Sequence, residues 1–295
     1  MRRIQVKTPG TCGEFIQGWF EGNPCLVSCP IDRYSRITIE EGPGNQAFLK
    51  PKTGKMIEEV FRRYEISDSE KNHIHISMNT EIPVGKGMAS STADISGMAA
   101  GLSEYFGLGL TPEEIGILCT FIEPSDNLMF PKLNLFNHIN GTVLKKFNGV
   151  VESDLLIIDF HGGIDTLTFN ETQDDYTKKD LDTFSEIVAQ FEKGVNEQNL
   201  RDVGEACTKS ALLNQGRLQK PCLEILTGMS RDFGGLGTII GHSGTVIGIM
   251  YEKNNFQETG FMEVLKKQIP STAYADIYFN HLIPGGIKVS EENIN

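Results

Sequence analysis

One run of small and hydroxyl-bearing residues is the part of this chain best equipped for chemistry: Pro83-Val84-Gly85-Lys86-Gly87-Met88-Ala89-Ser90-Ser91-Thr92-Ala93. Glycines at 85 and 87 give access to positive φ and let a ligand approach the backbone closely. Ser90 and Ser91 then stand where a helix would begin, and the free N–H groups and dipole of a helix start attract anions. Such a stretch suits phosphate binding, with a serine hydroxyl able to ligate Mg²⁺ on a bound nucleotide. The plainer alternative is a turn in which the glycines serve only the backbone and the serines are N-caps. Two common phosphate signatures do not fit. A Walker A loop needs Gly-x-x-x-x-Gly-Lys-[Ser/Thr], and here Gly54-Lys55 is followed by Met56. The dinucleotide fingerprint wants a third glycine where Ser90 stands.

The elements that must hold this loop are legible from periodicity. His73–Thr80 alternates as a half-buried strand, and Ile95, Met98, Ala99, Leu102 and Phe106 repeat at helical spacing. Further strands are expected at Arg3–Lys7, Tyr34–Glu40 and Thr142–Phe147, and helices at Gly54–Tyr64, Ser91–Phe106 and Pro112–Phe121. Thr111, Pro112 and Glu114 spell a capping box with proline at the first helical position. Asp154–Phe160 reads as an apolar strand, followed by a polar stretch. Beyond it, Phe184, Ile187, Val188, Phe191 and Val195 share one helical face, with helices at Leu200–Leu213, Cys222–Ser230 and Phe256–Lys267. Strands at Thr245–Tyr251 and Tyr274–Phe279 complete an α+β pattern. The expected organisation is two domains, residues 1–165 and 166–295.

Composition narrows the partners. A net charge of −12 argues against nucleic acid or an anionic membrane surface. It also means that any bound nucleotide must be neutralised locally, by Mg²⁺, the helix start after Ser90 and Lys86. Cys12, Cys25, Cys29, Cys119, Cys207 and Cys222 contain no Cys-x-x-Cys pair, which favours buried thiols in a reducing compartment over zinc. Met1–Lys7 reads as a first strand, and no apolar run of membrane-spanning length is visible. A cytoplasmic protein is expected, of undetermined oligomeric state.

The loop resembles the second motif of the GHMP kinases, Pro-x-x-x-Gly-Leu-Gly-Ser-Ser-Ala-Ala. Pro83, Gly87, Ser90, Ser91 and Ala93 agree; Met88, Ala89 and Thr92 depart. Lys7–Gly18 resembles the first motif of that family, and Ile240–Gly248 the third, a glycine-rich turn over the phosphates. The resemblance implies a ribosomal-S5-like N-terminal domain and a ferredoxin-like C-terminal domain, with ATP and Mg²⁺ bound between them. Within the family, Pro9-Gly10-Thr11-Cys12-Gly13-Glu14, His242-Ser243-Gly244-Thr245 and Glu123-Pro124-Ser125-Asp126 look like the L-threonine kinases of cobalamin biosynthesis. Gly162-Gly163-Ile164-Asp165-Thr166 and Phe169-Asn170 do so as well. That implies phosphorylation of L-threonine to O-phospho-L-threonine, a precursor for the cobalamin nucleotide loop. A homoserine or other small-alcohol kinase is the alternative within the family, and a catalytically silent binding protein the alternative outside enzymes. Retention of Ser90, Ser91, Glu123 and Asp126 counts against silence.

The same resemblance assigns roles. Pro83 to Ala93, with Gly241, Ser243 and Gly244, would hold the nucleotide phosphates. Ser91 and Glu123 would hold the metal, and Asp126 would take the acceptor hydroxyl's proton. Read as isolated residues, Glu123 is a solvated carboxylate at a helix end and Asp126 a turn residue. Glu14 is the candidate for the ammonium of an amino-acid acceptor, with Asp32 and Asp165 as second choices. Asp32 equally reads as a cap on the strand at Tyr34. His242 is a candidate for a phosphate or the substrate carboxylate, or else a structural turn histidine. His73 and His75 read as exposed.

Overall fold

A computed structural model of the chain describes residues 2–45, 49–162 and 176–293. Its spine is a pair of antiparallel strands, β1 (Arg2–Phe20) and β2 (Asn23–Glu41). Both run well past the segments expected from alternation, β1 straight through Pro9, Gly10 and Gly13. Register shifts at Pro9/Gly10, Thr11/Glu14 and Glu14/Ile16 explain how. A bulge absorbs residues that a regular ladder would reject and re-aims the side chains beside it.

β3 (Ile74–Thr80), β4 (Asn134–Phe136) and β5 (Val143–Lys146) extend the β2 side. On the other side β1 meets β7 (Gly237–Ile240), followed in order by β8 (Val246–Tyr251), β6 (Asp154–Phe160) and β9 (Tyr274–His281). β10 (Lys288–Asn293) returns to pair with Arg2–Lys7 of β1. The fold is α+β, with one ten-stranded sheet as its frame.

Helices α1 (Pro51–Arg63), α2 (Ser90–Phe106) and α3 (Pro112–Ile122) cover the first half of the sheet. Ile95, Met98 and Leu102 pack there on Ile4, Val6, Ile37 and Ile39, the arrangement their helical spacing demands. The α3 capping box forms as read, Thr111 Oγ1 accepting from the Glu114 N–H while the Glu114 carboxylate accepts from the Thr111 N–H. In the second half, α4 (Lys178–Asn196) buries all five residues of its expected face. With α5 (Leu200–Leu213) it covers one side of β6–β8, while α6 (Leu223–Asp232) and α7 (Glu258–Gln268) cover the other. Leu155 and Ile157 of β6 face the first layer, Leu156 and Ile158 the second, which is why that strand is apolar without alternation.

The division expected at 165/166 lies outside the described residues. β6, just before it, hydrogen-bonds to β8 and β9. All six thiols are reduced, and burial pushes those of Cys12, Cys25, Cys29, Cys119 and Cys207 well above the ordinary range. Among the described residues, no helix is long and apolar enough to cross a membrane.

Candidate active site

Three glycine-bearing segments, distant in sequence, meet at one point. The Thr11 N–H donates to the Met88 carbonyl at 3.0 Å, tying β1 to the loop before α2. The Thr245 N–H donates to the Lys86 carbonyl at 3.0 Å, tying that loop to the turn between β7 and β8. Gly87, at φ +75°, lies so close to Gly244 that a Cβ on Gly244 would sit 2.2 Å from the Lys86 carbonyl oxygen and 2.4 Å from Gly87 Cα. Both obstacles are backbone, so neither glycine has a substitute.

The loop delivers α2 with its N-terminus open. Its cap residue, Ala89, sits at φ 58°, ψ 28° and offers no side-chain acceptor, so the first N–H groups face outward. Ser90 and Ser91 occupy the first turn rather than the cap, contrary to the plainer sequence reading. α3, α4 and α5, by contrast, cap themselves with Thr111, Thr177 and Asn199.

Glu123 ends α3 beside that opening. Its carboxylate is buried, accepts a hydrogen bond from Ser91 Oγ on one oxygen, and pairs with the Lys52 ammonium on the other. Three residues on, Asp126 accepts from Ser28 Oγ at 2.8 Å, and its N–H donates to Thr92 Oγ1 at 3.4 Å. The turn between them is stitched down: Ser125 Oγ donates to the Glu123 carbonyl at 2.8 Å, and the Ser28 N–H to Asn127 Oδ1 at 3.0 Å.

Glu14 completes the ring. It sits between two register shifts of β1, at the residue where β1 touches Ile240 of β7, so the irregular strand aims it inward. His242 donates to Glu14 Oε2 twice, from its backbone N–H at 2.9 Å and from Nδ1 at 2.8 Å. The carboxylate fixes the proton on Nδ1, and Nε2 is buried with no hydrogen-bond partner among the described residues. Lys220 lies behind, donating to the carbonyls of His242 at 2.9 Å and Gly244 at 2.6 Å, and so clamps the third motif.

Glu14, Asp126, Glu123, Gly85 and the segment Gly87–Thr92 line one cavity of about 390 Å³, with Lys52, His138 and Ser243. Its electrostatics follow from burial and from its carboxylates. Loss of solvent, with Glu14 nearby, pushes the Asp126 carboxyl up to about 8. Burial pushes the His138 imidazole down to about 4 and the Lys220 ammonium down to about 8.

Several expected residues fall elsewhere. Asp32 does not reach the cavity; its Oδ1 accepts from Asn280 Nδ2 at 2.7 Å and the His281 N–H at 3.0 Å, holding β2 against β9. Lys86 turns away from the phosphate side, its Nζ 2.9 Å from Asp159 and bonded to the carbonyls of Phe160 and Gly162. His242 stands behind Glu14 instead of lining the cavity, and Gly241 and Gly244 form the seam between loops. Asp165 lies outside the described residues, as do the other residues of 163–170 in the subfamily resemblance. Lys52, Ser28, His138 and Lys220 were not anticipated. None sits in a recognisable local pattern, and only the fold brings them to the loop.

Anion-seeking helix N–H groups, a hydroxyl–carboxylate oxygen pair and a buried second carboxylate suit phosphoryl transfer from a nucleotide to a small acceptor. The class is that of an ATP-dependent small-molecule kinase. The family described as "GHMP kinases N terminal domain" matches residues 52–130. An L-threonine kinase of Salmonella typhimurium is 30% identical over 290 residues, spanning 96% of this chain and 95% of that protein. One from Citrobacter freundii is 27% identical over 285 residues, spanning 96% and 99%. The crystal structure of homoserine kinase from Cytophaga hutchinsonii superposes with a TM-score of 0.68 at 15% identity, covering 98% of this chain and 97% of that one. The chain belongs to the GHMP kinase family.

Proposed function

We propose that this kinase phosphorylates the side-chain hydroxyl of L-threonine, with ATP and Mg²⁺, in the cytoplasm. The product, O-phospho-L-threonine, would serve assembly of the cobalamin nucleotide loop. Similarity to two L-threonine kinases along nearly the whole chain supports the substrate. The geometric observation that carries it is Glu14: a buried carboxylate with one oxygen committed to His242, facing the same cavity as Asp126. An amino-acid acceptor brings an ammonium to meet it, and a plain alcohol does not.

The metal fits this donor set. Ser91 Oγ and Glu123 are adjacent oxygen donors, the hard ligands Mg²⁺ takes, with the rest of its shell left to phosphate and water. Bound there, Mg²⁺ would neutralise charge on the phosphates. The N–H groups of Ser90, Ser91 and Thr92 would cradle phosphate oxygens, while Glu14 orients the acceptor by its ammonium. Asp126 Oδ would take the hydroxyl proton. Its carboxyl is largely protonated near neutrality, and a substrate ammonium beside Glu14 and Asp126 favours the ionised form that a base requires.

The test is ADP release with L-threonine, L-serine, L-homoserine and N-acetyl-L-threonine. L-threonine should give the highest kcat/KM, and N-acetyl-L-threonine should be poor because acetylation removes the charge. A wide advantage for L-homoserine would overturn the assignment.

A further inference from the structure

We propose that Lys52 is the side chain that binds the γ-phosphate of ATP. The inference rests on the ATP- and Mg²⁺-dependent reading of Ser91 and Glu123, and not on the identity of the acceptor. The cavity is lined by three carboxylates, Glu14, Glu123 and Asp126, and among the described residues Lys52 is its one lysine or arginine. A triphosphate entering so acidic a site, in a chain of net charge −12, needs a cation from the protein as well as a metal.

The other lysines nearby are committed. Lys86 is 18% exposed and held by Asp159 and two carbonyls. Lys50 pairs with the buried Asp94 at 2.6 Å. Lys220 is buried on the carbonyls of His242 and Gly244. Lys52 is the one of these four that lines the cavity. Its side chain is 38% exposed, and Glu123 is its only partner among the described residues. It is the second residue of α1, after Pro51, so the helix start fixes its root while four methylenes leave the ammonium free to move.

That ammonium already touches the carboxylate proposed to hold the metal. Once Mg²⁺ provides Glu123 with a cation, the ammonium is free to turn a donor to the neighbouring phosphoryl oxygens. Charge develops on those oxygens during transfer, and a positioned cation stabilises it.

The experiment is calorimetric titration, without any amino acid, of wild-type protein, Lys52→Met and Lys52→Arg. The probes are Mg²⁺ with the β,γ-imido analogue of ATP, and Mg²⁺ with ADP. Lys52→Met should weaken analogue binding roughly ten- to a hundredfold, the worth of a hydrogen bond to a charged group, and change ADP binding less than about twofold. Lys52→Arg keeps the charge and should retain most of the preference for the triphosphate. Equal losses for both nucleotides in Lys52→Met would mean that Lys52 only positions Glu123, and would overturn the proposal. So would no loss for either. Because no acceptor is present, failure of the L-threonine assignment leaves this measurement readable, and the converse also holds.

Discussion

At the scale of single residues, Asp126 makes the sharpest claim. Burial and Glu14 push its carboxyl up to about 8, so a base at this position is unprotonated only at alkaline pH in the free enzyme. Since kcat/KM reports the free enzyme, it should climb with pH through about 8 and flatten above. Asp126→Asn should remove that limb and lower kcat by roughly a hundred- to ten-thousand-fold, with KM for the acceptor little changed. kcat/KM measured from pH 6 to pH 10 checks the limb, and single-turnover rates of Asp126→Asn check the loss in the chemical step. A loss under about tenfold would return Asp126 to the role of a turn residue hydrogen-bonded to Ser28. Ser91→Ala and Glu123→Ala belong beside it. Each should cost orders of magnitude in turnover and raise the Mg²⁺ concentration needed for half-maximal rate, while the melting temperature stays near wild type.

At the scale of elements, the seam between the α2 loop and the β7–β8 turn decides whether the site assembles. A methyl group on residue 244 meets only backbone, at 2.2 Å and 2.4 Å, so the two loops must separate. Gly244→Ala should therefore cost about 1–3 kcal/mol of stability, the range for overpacking, and raise KM for ATP more than KM for the acceptor. Thermal melting and initial rates test both parts. The same scale shows what the sequence could disclose. α2, α3, α4 and β6 are legible because period and capping coincide: Thr111 with Glu114, or the five apolar residues from Phe184 to Val195. The far halves of β1 and β2 are not. Pro9, Gly10 and Gly13 are turn-formers by local chemistry, and only tertiary pairing across bulges, with Gly13 at φ 64°, carries the strand through them. β10 is exposed at every described position and polar at all but Val289, so nothing in its pattern marks it as a strand. In the site, Ser90, Ser91, Glu123, Asp126 and Glu14 were within reach of motif reading. Lys52 and Ser28 were not, because each meets its partner through a contact of long sequence separation.

For the whole molecule, β1 is the member on which the sheet depends. It pairs with β2, touches β7 through Glu14 and Ile240, and accepts β10 along Arg2–Lys7. A chain ended after Gly286 would lose β10 and bare the outer edge of β1, beneath which Ile4 and Val6 lie buried. The shortened protein should melt at lower temperature and aggregate on concentration, because an unpaired strand edge is a template for other chains. Light scattering and a melting curve against the full chain decide this. An unchanged melting temperature would mean that β10 contributes nothing to the sheet.

The position of β1 also bears on how the enzyme comes into being on the ribosome. β1 emerges long before β7 and β10, which flank it. At roughly 5–20 residues per second, the strand that carries Glu14 waits on the order of ten seconds to a minute for its neighbours. Nascent chains therefore leave a partly paired β1 open to chaperones and to one another, and the third motif closes over the phosphate loop only after β7 and β8 have been made.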